Sequence, residues 1–534
     1  MRCAFLEALD EQAISNPDLI AFENSCDESI TYAQLKSASD ALACWIASNK
    51  EIAAGVPIIV YGHKSPLMLV GFFACAKSGH AYVPVDVVYP RDRVAGIIDQ
   101  IEGTWVLDTT EGVIDWDEIA DCAHVIGRDE LVGLSQAEVA EEAVASLNGL
   151  KGDDVIYVLF TSGSTGQPKG VQLPAAHVDM FAQWLGEAFV PLEGEAPRSG
   201  IGDGRGKRVW FNRAPFSFDV SVADMAGGMT VGDTSFSLAG DDEDSLRGMF
   251  EALAKSGLTD WISTPSFVDQ CLADESFTEE MLPDLRRALL AGEILRPETV
   301  KEFQRRFPKL RVFNGYGPTE AGFVSICEIT QEMLDSERSL PIGYAKPDVD
   351  FVVLNPETLE RVPNGSLGEL FLVGPTIALG YWKLPEQTAA GFHSCPQEYC
   401  AEPGVRAYRT GDECSVEDNG LAYYHGRLDL QVKLHGFRIE LGDVEAAISK
   451  LPDVHMACVL PVYKDGAISH LAAMVLLADH AAERGFARTK QLKADLRATL
   501  PKYMIPRVFK YLDDMPLNPN GKADRKALAR LLEG

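Results

Sequence analysis

The chain has 534 residues and a formal net charge of −31. That length exceeds what one ordinary core holds, so two or more domains are expected. With 46% hydrophobic and 24% charged residues it reads as a globular enzyme rather than a fibrous or disordered chain, and its acidity argues against nucleic acid and anionic membrane surfaces, both of which need a cationic face.

In chain order, the start "MRCAFLEALDEQ" carries acids where a signal peptide needs an unbroken apolar run. The run "PLMLVGFFACA" (66–76) is too short to span a bilayer and predicts a buried helix. The eleven cysteines are scattered, with no Cys-x2-Cys pair, so reduced thiols are expected. Together these features predict a cytoplasmic protein without membrane insertion. Apolar runs such as "VPIIVYG" (56–62), "DVIYVLF" (154–160) and "WISTPS" (261–266) alternate with amphipathic stretches through the first 330 residues. That texture predicts parallel βα sheets covered on both faces. The segment 186–208, rich in glycine and charge, reads as a surface loop or insertion. From 350 to 424 short runs separated by turns, as in "FVVLNPETLERVPNGSLGELFLVG", predict antiparallel strands. Beyond Asp429 "ACVLPVY" and "HLAAMVLLA" mix with helical patterns, as in an α+β unit. From Asp429 onward sixteen Lys/Arg face thirteen Asp/Glu, so the last unit is mildly basic on an acidic body. Chance composition and a docking role account for that equally well.

One loop carries chemistry. "LFTSGSTGQPKGVQL" (159–173) places three glycines, several hydroxyls and one lysine between apolar runs, as a phosphate-cradling loop does. A Walker loop needs Gly, four residues, then Gly-Lys-Ser/Thr; here Lys169 follows a proline and precedes a glycine. The glycine spacing also misses the dinucleotide fingerprint. A polar turn between two strands has the same composition, so the loop alone leaves the matter open.

It does not stand alone. "KSGHAYVPVD" (77–86) precedes it. "APFSFDVSV" (214–222), "NGYGPTEAG" (314–322), "GELFLVGPTIALGYW" (368–382), "YRTGD" (408–412), "GRLDLQVKLHGFRIEL" (426–441) and "PLNPNGKADRKAL" (516–528) follow it. These eight ordered motifs resemble the adenylate-forming enzymes, which include acyl-CoA ligases, luciferases and peptide-synthetase adenylation domains. The resemblance spans nearly the whole chain. It implies an α/β N-terminal domain over 1–428, with two parallel βα subdomains and a small antiparallel β subdomain, and a small mobile α+β lid domain over 429–534 hinged at Asp429.

The family joins a carboxylate to the α-phosphate of ATP and releases pyrophosphate, so the resemblance assigns roles by position. Thr161, Ser162, Gly163, Ser164, Thr165, Gly166 and Lys169 would clamp the β- and γ-phosphates. Thr319 would donate to phosphate and Glu320 would meet Mg²⁺. Asn314, Gly315, Tyr316 and Gly317 would face the adenine, with Gly170, Gly292 and Glu293 in the nucleotide walls. Asp412 would accept from the ribose hydroxyls, and Arg427 would contact ribose or phosphate. Lys522 would bridge the substrate carboxylate and the α-phosphate. "KLHGFRIE" (433–440) would line the tunnel by which a thiol arrives, with Gly436 allowing close backbone approach and His435 structural rather than a base.

Asp219 separates subclasses. Amino-acid activators place an aspartate here against the α-ammonium, and a buried carboxylate without a cation is costly; a helix-start aspartate is the plainer alternative. The resemblance is nearest to the free-standing D-alanine–carrier protein ligases, which would line the side-chain pocket with Val220, Ala223, Ser263, Leu289, Ala291, Gly315, Phe323 and Val324. Ala291 stands where those enzymes commonly have cysteine, and Phe323 where they have a smaller aliphatic residue. An inward Phe323 shrinks the pocket to hydrogen or methyl, so glycine is preferred, with D-alanine next. With no carrier segment after Lys522, the acceptor is expected to be the phosphopantetheine thiol of a separate carrier protein. Two other readings stay open: a CoA ligase acting on a non-amino carboxylic acid, and a catalytically silent homologue with a binding role.

Overall fold

In the computed structural model, residues 3–119, 124–161, 168–189, 197–200, 202–240, 242, 245–392, 396–399, 405–464, 467–478, 485–517 and 523–533 are described. Two of the five sheets they form carry the parallel strands expected from the unbroken apolar runs. The six-stranded sheet runs in the order His124–Ile126, Trp105–Asp108, Ile58–Gly62, Tyr82–Asp86, Val155–Thr161, Lys169–Pro174. All its pairings are parallel except the last. The nine-stranded sheet has a parallel centre made of Arg311–Tyr316, Arg287–Ala291, Asp260–Ser263, Val209–Asn212, Thr234–Ser237 and Ile20–Asn24, with antiparallel strands at both edges. Ile58–Gly62 and Arg287–Ala291 are buried at every position, as strands covered on both faces must be.

The apolar run at 66–76 lies in a core helix, Pro66–Ser78. Proline opens it, the Ser65 side chain accepts from the Leu67 amide, and Gly79 closes it in the left-handed region at φ 87°. Among the described residues no helix is long and apolar enough to cross a membrane.

The texture change at 350 marks a four-stranded antiparallel sheet of Asp350–Leu354, Gly368–Gly374, Arg406–Val416 and Ala422–Arg427. A hairpin follows, Gln431–Leu434 against Phe437–Glu440. Then comes a three-stranded sheet of Val454–Lys464, Ala467–Leu477 and Val508–Leu512, packed with helices Leu441–Ser449, Phe486–Leu496 and Arg525–Glu533. Val432, Ile439, Val444, Val459, Leu471 and Leu496 belong to a core of their own. The chain is thus α/β with large N-terminal parallel sheets and a smaller C-terminal α+β domain.

Two local expectations need correcting. The segment 261–266 is not strand throughout: the strand ends at Ser263, and Thr264 caps the helix Pro265–Leu272 by accepting from the Phe267 amide. Pro265 cannot donate to a ladder, and its fixed φ suits the first helical position. The stretch 186–208 is not all surface loop. Its first residues finish the helix Ala175–Ala188. Near its end Arg198 is buried and forks onto Asp203 at 2.9 and 2.7 Å, while the Gly206 amide donates to Thr234 Oγ1 at 2.8 Å. Residues 190–196 and 201 lie outside the described residues.

Candidate active site

The parallel strands of the nine-stranded sheet deliver their C-terminal ends to one place, where open α/β sheets bind ligands. A cavity of about 730 Å³ opens there, lined by Arg213 after one strand, Ser263 and Thr264 at the end of the next, and Ala291 and Gly292 at a third. The hairpin 431–440 closes it from the other side with Lys433, Gly436 and Arg438.

Of the residues expected to meet the amino acid, Asp219, Val220, Ser263, Ala291 and Phe323 line this cavity. Ala223, Leu289 and Val324 are wholly buried in the core behind it. Asp219 opens a short helical turn, where its Oδ1 accepts from the Val220 amide at 3.0 Å. Burial pushes its carboxyl above the ordinary range, while Lys433 and the Thr319 hydroxyl pull it back. The carboxylate therefore still gains from a further cation. Phe323 is fixed from behind: its ring stacks on Phe181 at 5.6 Å and an interplanar angle of 3°. On its other side lies Gly315, where a Cβ would fall 2.7 Å from the Phe323 ring and 3.0 Å from Leu289 Cδ1. Only glycine fits there. Phe181 belongs to a helix that also carries His177, a buried imidazole 3.2 Å from the Thr376 carbonyl oxygen. Burial, helped by the charge of Lys346, lowers the His177 pKa to about 3.

Of the residues expected to meet the nucleotide, Thr161, Gly292, Gly317, Thr319, Asp412 and Arg427 line the same cavity. Asp412 accepts from Arg427 Nη1 at 2.8 Å and from the Tyr316 hydroxyl at 2.5 Å. Arg427 holds Asp429 with its remaining nitrogens, at 2.8 and 2.6 Å. Tyr316 is buried with its hydroxyl so engaged, and the Asn314 amide donates to the Pro341 carbonyl at 2.8 Å. Lys169 Nζ lies 5.4 Å over the Tyr381 ring. Ser162, Gly163, Ser164, Thr165, Gly166 and Lys522 lie outside the described residues.

Comparison with known proteins identifies the family. The profile of the family described as AMP-binding enzyme matches residues 9–382, and that of its C-terminal domain matches 443–522. The chain belongs to the AMP-binding enzyme family. It is an adenylate-forming ligase. A D-alanine–D-alanyl carrier protein ligase of Bacillus anthracis is 38% identical over 524 residues, covering 98% of each chain. The protein of the same name from Bacillus licheniformis is 39% identical over 524 residues with the same coverage. Among solved structures, an NRPS protein containing adenylation and PCP domains, bound to a vinylsulfonamide inhibitor, superposes with a TM-score of 0.79 at 25% identity. That match covers 99% of this chain and 84% of the other.

In this AMP-binding enzyme the hairpin supplies two cations that motif spacing alone did not single out. Lys433 faces Asp412 and Asp219, whose charges partly offset the burial that lowers its pKa. Arg438 Nη1 lies 2.7 Å from Glu320 Oε2 and 3.0 Å from Oε1, and the Tyr381 hydroxyl donates to Oε1 at 2.7 Å. Burial alone would raise the Glu320 carboxyl; Arg438 and Tyr381 outweigh it and hold it down to about 2. The hairpin tip docks through its backbone. The Gly436 amide donates to Glu293 Oε1 at 2.8 Å, and Glu293 Oε2 accepts from the Ser266 amide at 3.0 Å. Gly436 sits at φ 81°, and a Cβ there would fall 2.4 Å from Thr264 Cγ2. Phe437 stacks on Tyr503 at 3.7 Å and meets Phe218 edge-on at 5.0 Å.

Among the described residues no group of three or more His, Cys, Asp or Glu could hold a metal. Glu320 is a single carboxylate covered by Arg438 and Tyr381; uncovered, it would suit Mg²⁺ bound by one carboxylate and substrate phosphates rather than by a protein cage.

Proposed function

We propose that the protein adenylates a small α-amino acid with ATP and passes it as a thioester to the phosphopantetheine thiol of a separate carrier protein. The observation that carries this reading is that Asp219, Phe323, Asp412 and Arg427 line one cavity. A cavity that is lined by a half-buried carboxylate and by a rigidly packed ring suits an ammonium next to a short side chain. The relatives' name supports the carrier protein as acceptor, and the basic balance from Asp429 onward would speed encounter with an acidic partner.

In the first half-reaction a carboxylate oxygen of the amino acid attacks the α-phosphorus, and the bond to pyrophosphate breaks. Asp219 pairs with the ammonium and Asp412 accepts from the ribose hydroxyls. Thr319, Lys169 and the loop 161–169 donate to phosphate, and Lys522 spans the reacting carboxylate and phosphate. Mg²⁺, when bound, supplies charge neutralisation on the phosphates, with Glu320 as its protein ligand. In the second half-reaction the thiol sulfur attacks the acyl carbon, loses its proton, and AMP leaves. The hairpin around Gly436 lines its approach. Residues 1–428 and 429–534 act as core and lid, pivoting at Asp429.

Phe323 favours glycine; the relatives' name favours D-alanine as the second reading. ATP–pyrophosphate exchange with glycine, D-alanine, L-alanine, β-alanine, L-proline and acetate in parallel tests both. Glycine or D-alanine is expected to drive exchange and acetate to fail. Exchange driven by acetate alone overturns the amino-acid reading, and background exchange with every acid overturns the enzymatic one.

A further inference from the structure

The hairpin 431–440 brings its charges to acidic positions for which ligands have just been assigned. Glu320 would face Mg²⁺, yet its carboxylate already accepts from Arg438 at 2.7 and 3.0 Å and from Tyr381 at 2.7 Å. Glu320 is 0% exposed. A carboxylate offers about four acceptor sites, and three contacts fill most of them. Mg²⁺ demands near-ideal octahedral geometry and keeps several waters, which leaves no room for it on the edge that a guanidinium covers. The two cations would also repel at that distance. Lys433 repeats the pattern on the same hairpin, facing Asp219 and Asp412 from the cavity wall.

We propose that Arg438 is a surrogate cation for Glu320, so that the docked hairpin and a divalent metal occupy this carboxylate in turn. The inference rests on the reading that Glu320 meets the metal. Docking and metal binding are then reciprocally coupled: whatever holds the hairpin in place weakens metal binding, and bound metal loosens the hairpin by the same factor. The contacts that hold the hairpin are the Arg438–Glu320 pair, the Gly436 amide on Glu293 and the edge-on contact of Phe437 with Phe218. Arg438 is accordingly a positioning residue whose removal strengthens a ligand's binding, an effect that loss of a merely structural contact does not produce.

The test uses the full-length protein with Mn²⁺ as the probe, read by its paramagnetic resonance in the presence of a non-hydrolysable ATP analogue. Amino acid and carrier protein are left out. Arg438→Gln is expected to tighten Mn²⁺ binding by about tenfold, the factor for a hairpin docked roughly nine-tenths of the time. Phe437→Ala keeps the arginine but loses the edge-on contact with Phe218, and is expected to tighten binding by a smaller factor. In the wild type, Mn²⁺ with the analogue should speed amide exchange across 433–438, including the Gly436 amide. Glu320→Gln separates the two layers of the argument. Mn²⁺ affinity that Glu320→Gln does not weaken overturns the metal reading, and the inference with it. Affinity that Glu320→Gln weakens but neither Arg438→Gln nor Phe437→Ala strengthens overturns the inference alone.

Discussion

Phe323 and Arg438 face one cavity but are held by different means. Phe323 belongs to a packed interior: Phe181 stacks behind it, and Gly315 sits so close that a Cβ there would fall 2.7 Å from its ring. Arg438 arrives on a hairpin and is held by an ion pair with a residue of the large sheet region. Close-packed interiors resist deformation, so the first wall selects by shape. A charge contact across an interface can exchange partners, so the second can open without unfolding anything. The same cavity thus joins a fixed mould to a replaceable plug.

The largest test of the mould is Asp219→Asn. With substrate covering Asp219, losing one partner of the charge pair costs about 3–5 kcal/mol, so kcat/KM for amino-acid-driven exchange should fall by about two to four orders of magnitude. A loss below tenfold would mean that no ammonium sits there. Next comes Phe323→Val. One methyl is worth about 1–3 kcal/mol, so the ratio of D-alanine to glycine activation should rise by about 10- to 200-fold in parallel exchange assays. An unchanged ratio would mean that the ring does not set substrate size. On the plug, Gly436→Ala forces a side chain into the left-handed region, a strain of about 1–3 kcal/mol, and against Thr264 Cγ2. Transfer from preformed aminoacyl-adenylate to carrier should slow about tenfold or more relative to exchange. Adding Thr264→Ser, which deletes the clashing methyl, should recover part of the loss. If it recovers nothing, the close approach is not what matters.

The smallest effect concerns the support behind the mould. His177 stays neutral in the folded protein, with its pKa lowered from 6.5 to about 3 by burial first and Lys346 second. Below pH 6.5 the unfolded chain takes up a proton that the folded chain refuses, so acid favours unfolding and stability is lost as pH falls toward 3. The contribution is at most about 1.4 kcal/mol per pH unit. Urea midpoints followed from pH 6.5 to 5 should fall less steeply in His177→Asn. Equal slopes would place the acid sensitivity elsewhere.

The sequence made the mould more legible than the plug. Asp219 and Phe323 stood out because each is an unusual choice for its place: a carboxylate in an apolar motif, a large ring where small residues are expected. Pro265 in "WISTPS" marks a helix start, a signal that the apolar run before it masks. Burial behind the wall, as at Ala223, Leu289 and Val324, depends on side-chain direction, which spacing does not fix. Lys433 and Arg438 lay within a recognised motif, but their significance depends on what they touch. Glu320 is 118 residues before Arg438, and no local periodicity announces a pairing at that range. Glu293, which the resemblance places in the nucleotide wall, accepts backbone amides at both oxygens, one from the hairpin tip, a contact that no spacing announces.

Arg427 has a mechanical consequence. Its guanidinium spans two carboxylates, with Nη1 on Asp412 and the other two nitrogens on Asp429. Asp412 is the proposed ribose acceptor and Asp429 the proposed pivot. Sugar hydroxyls arriving at Asp412 compete for the oxygen that Arg427 grips, and a turn at Asp429 pulls on the same guanidinium from the other end. With Asp412 as ribose acceptor and Asp429 as pivot, the joint would be geared to the nucleotide: occupancy at one end would become torque at the other, through a single side chain.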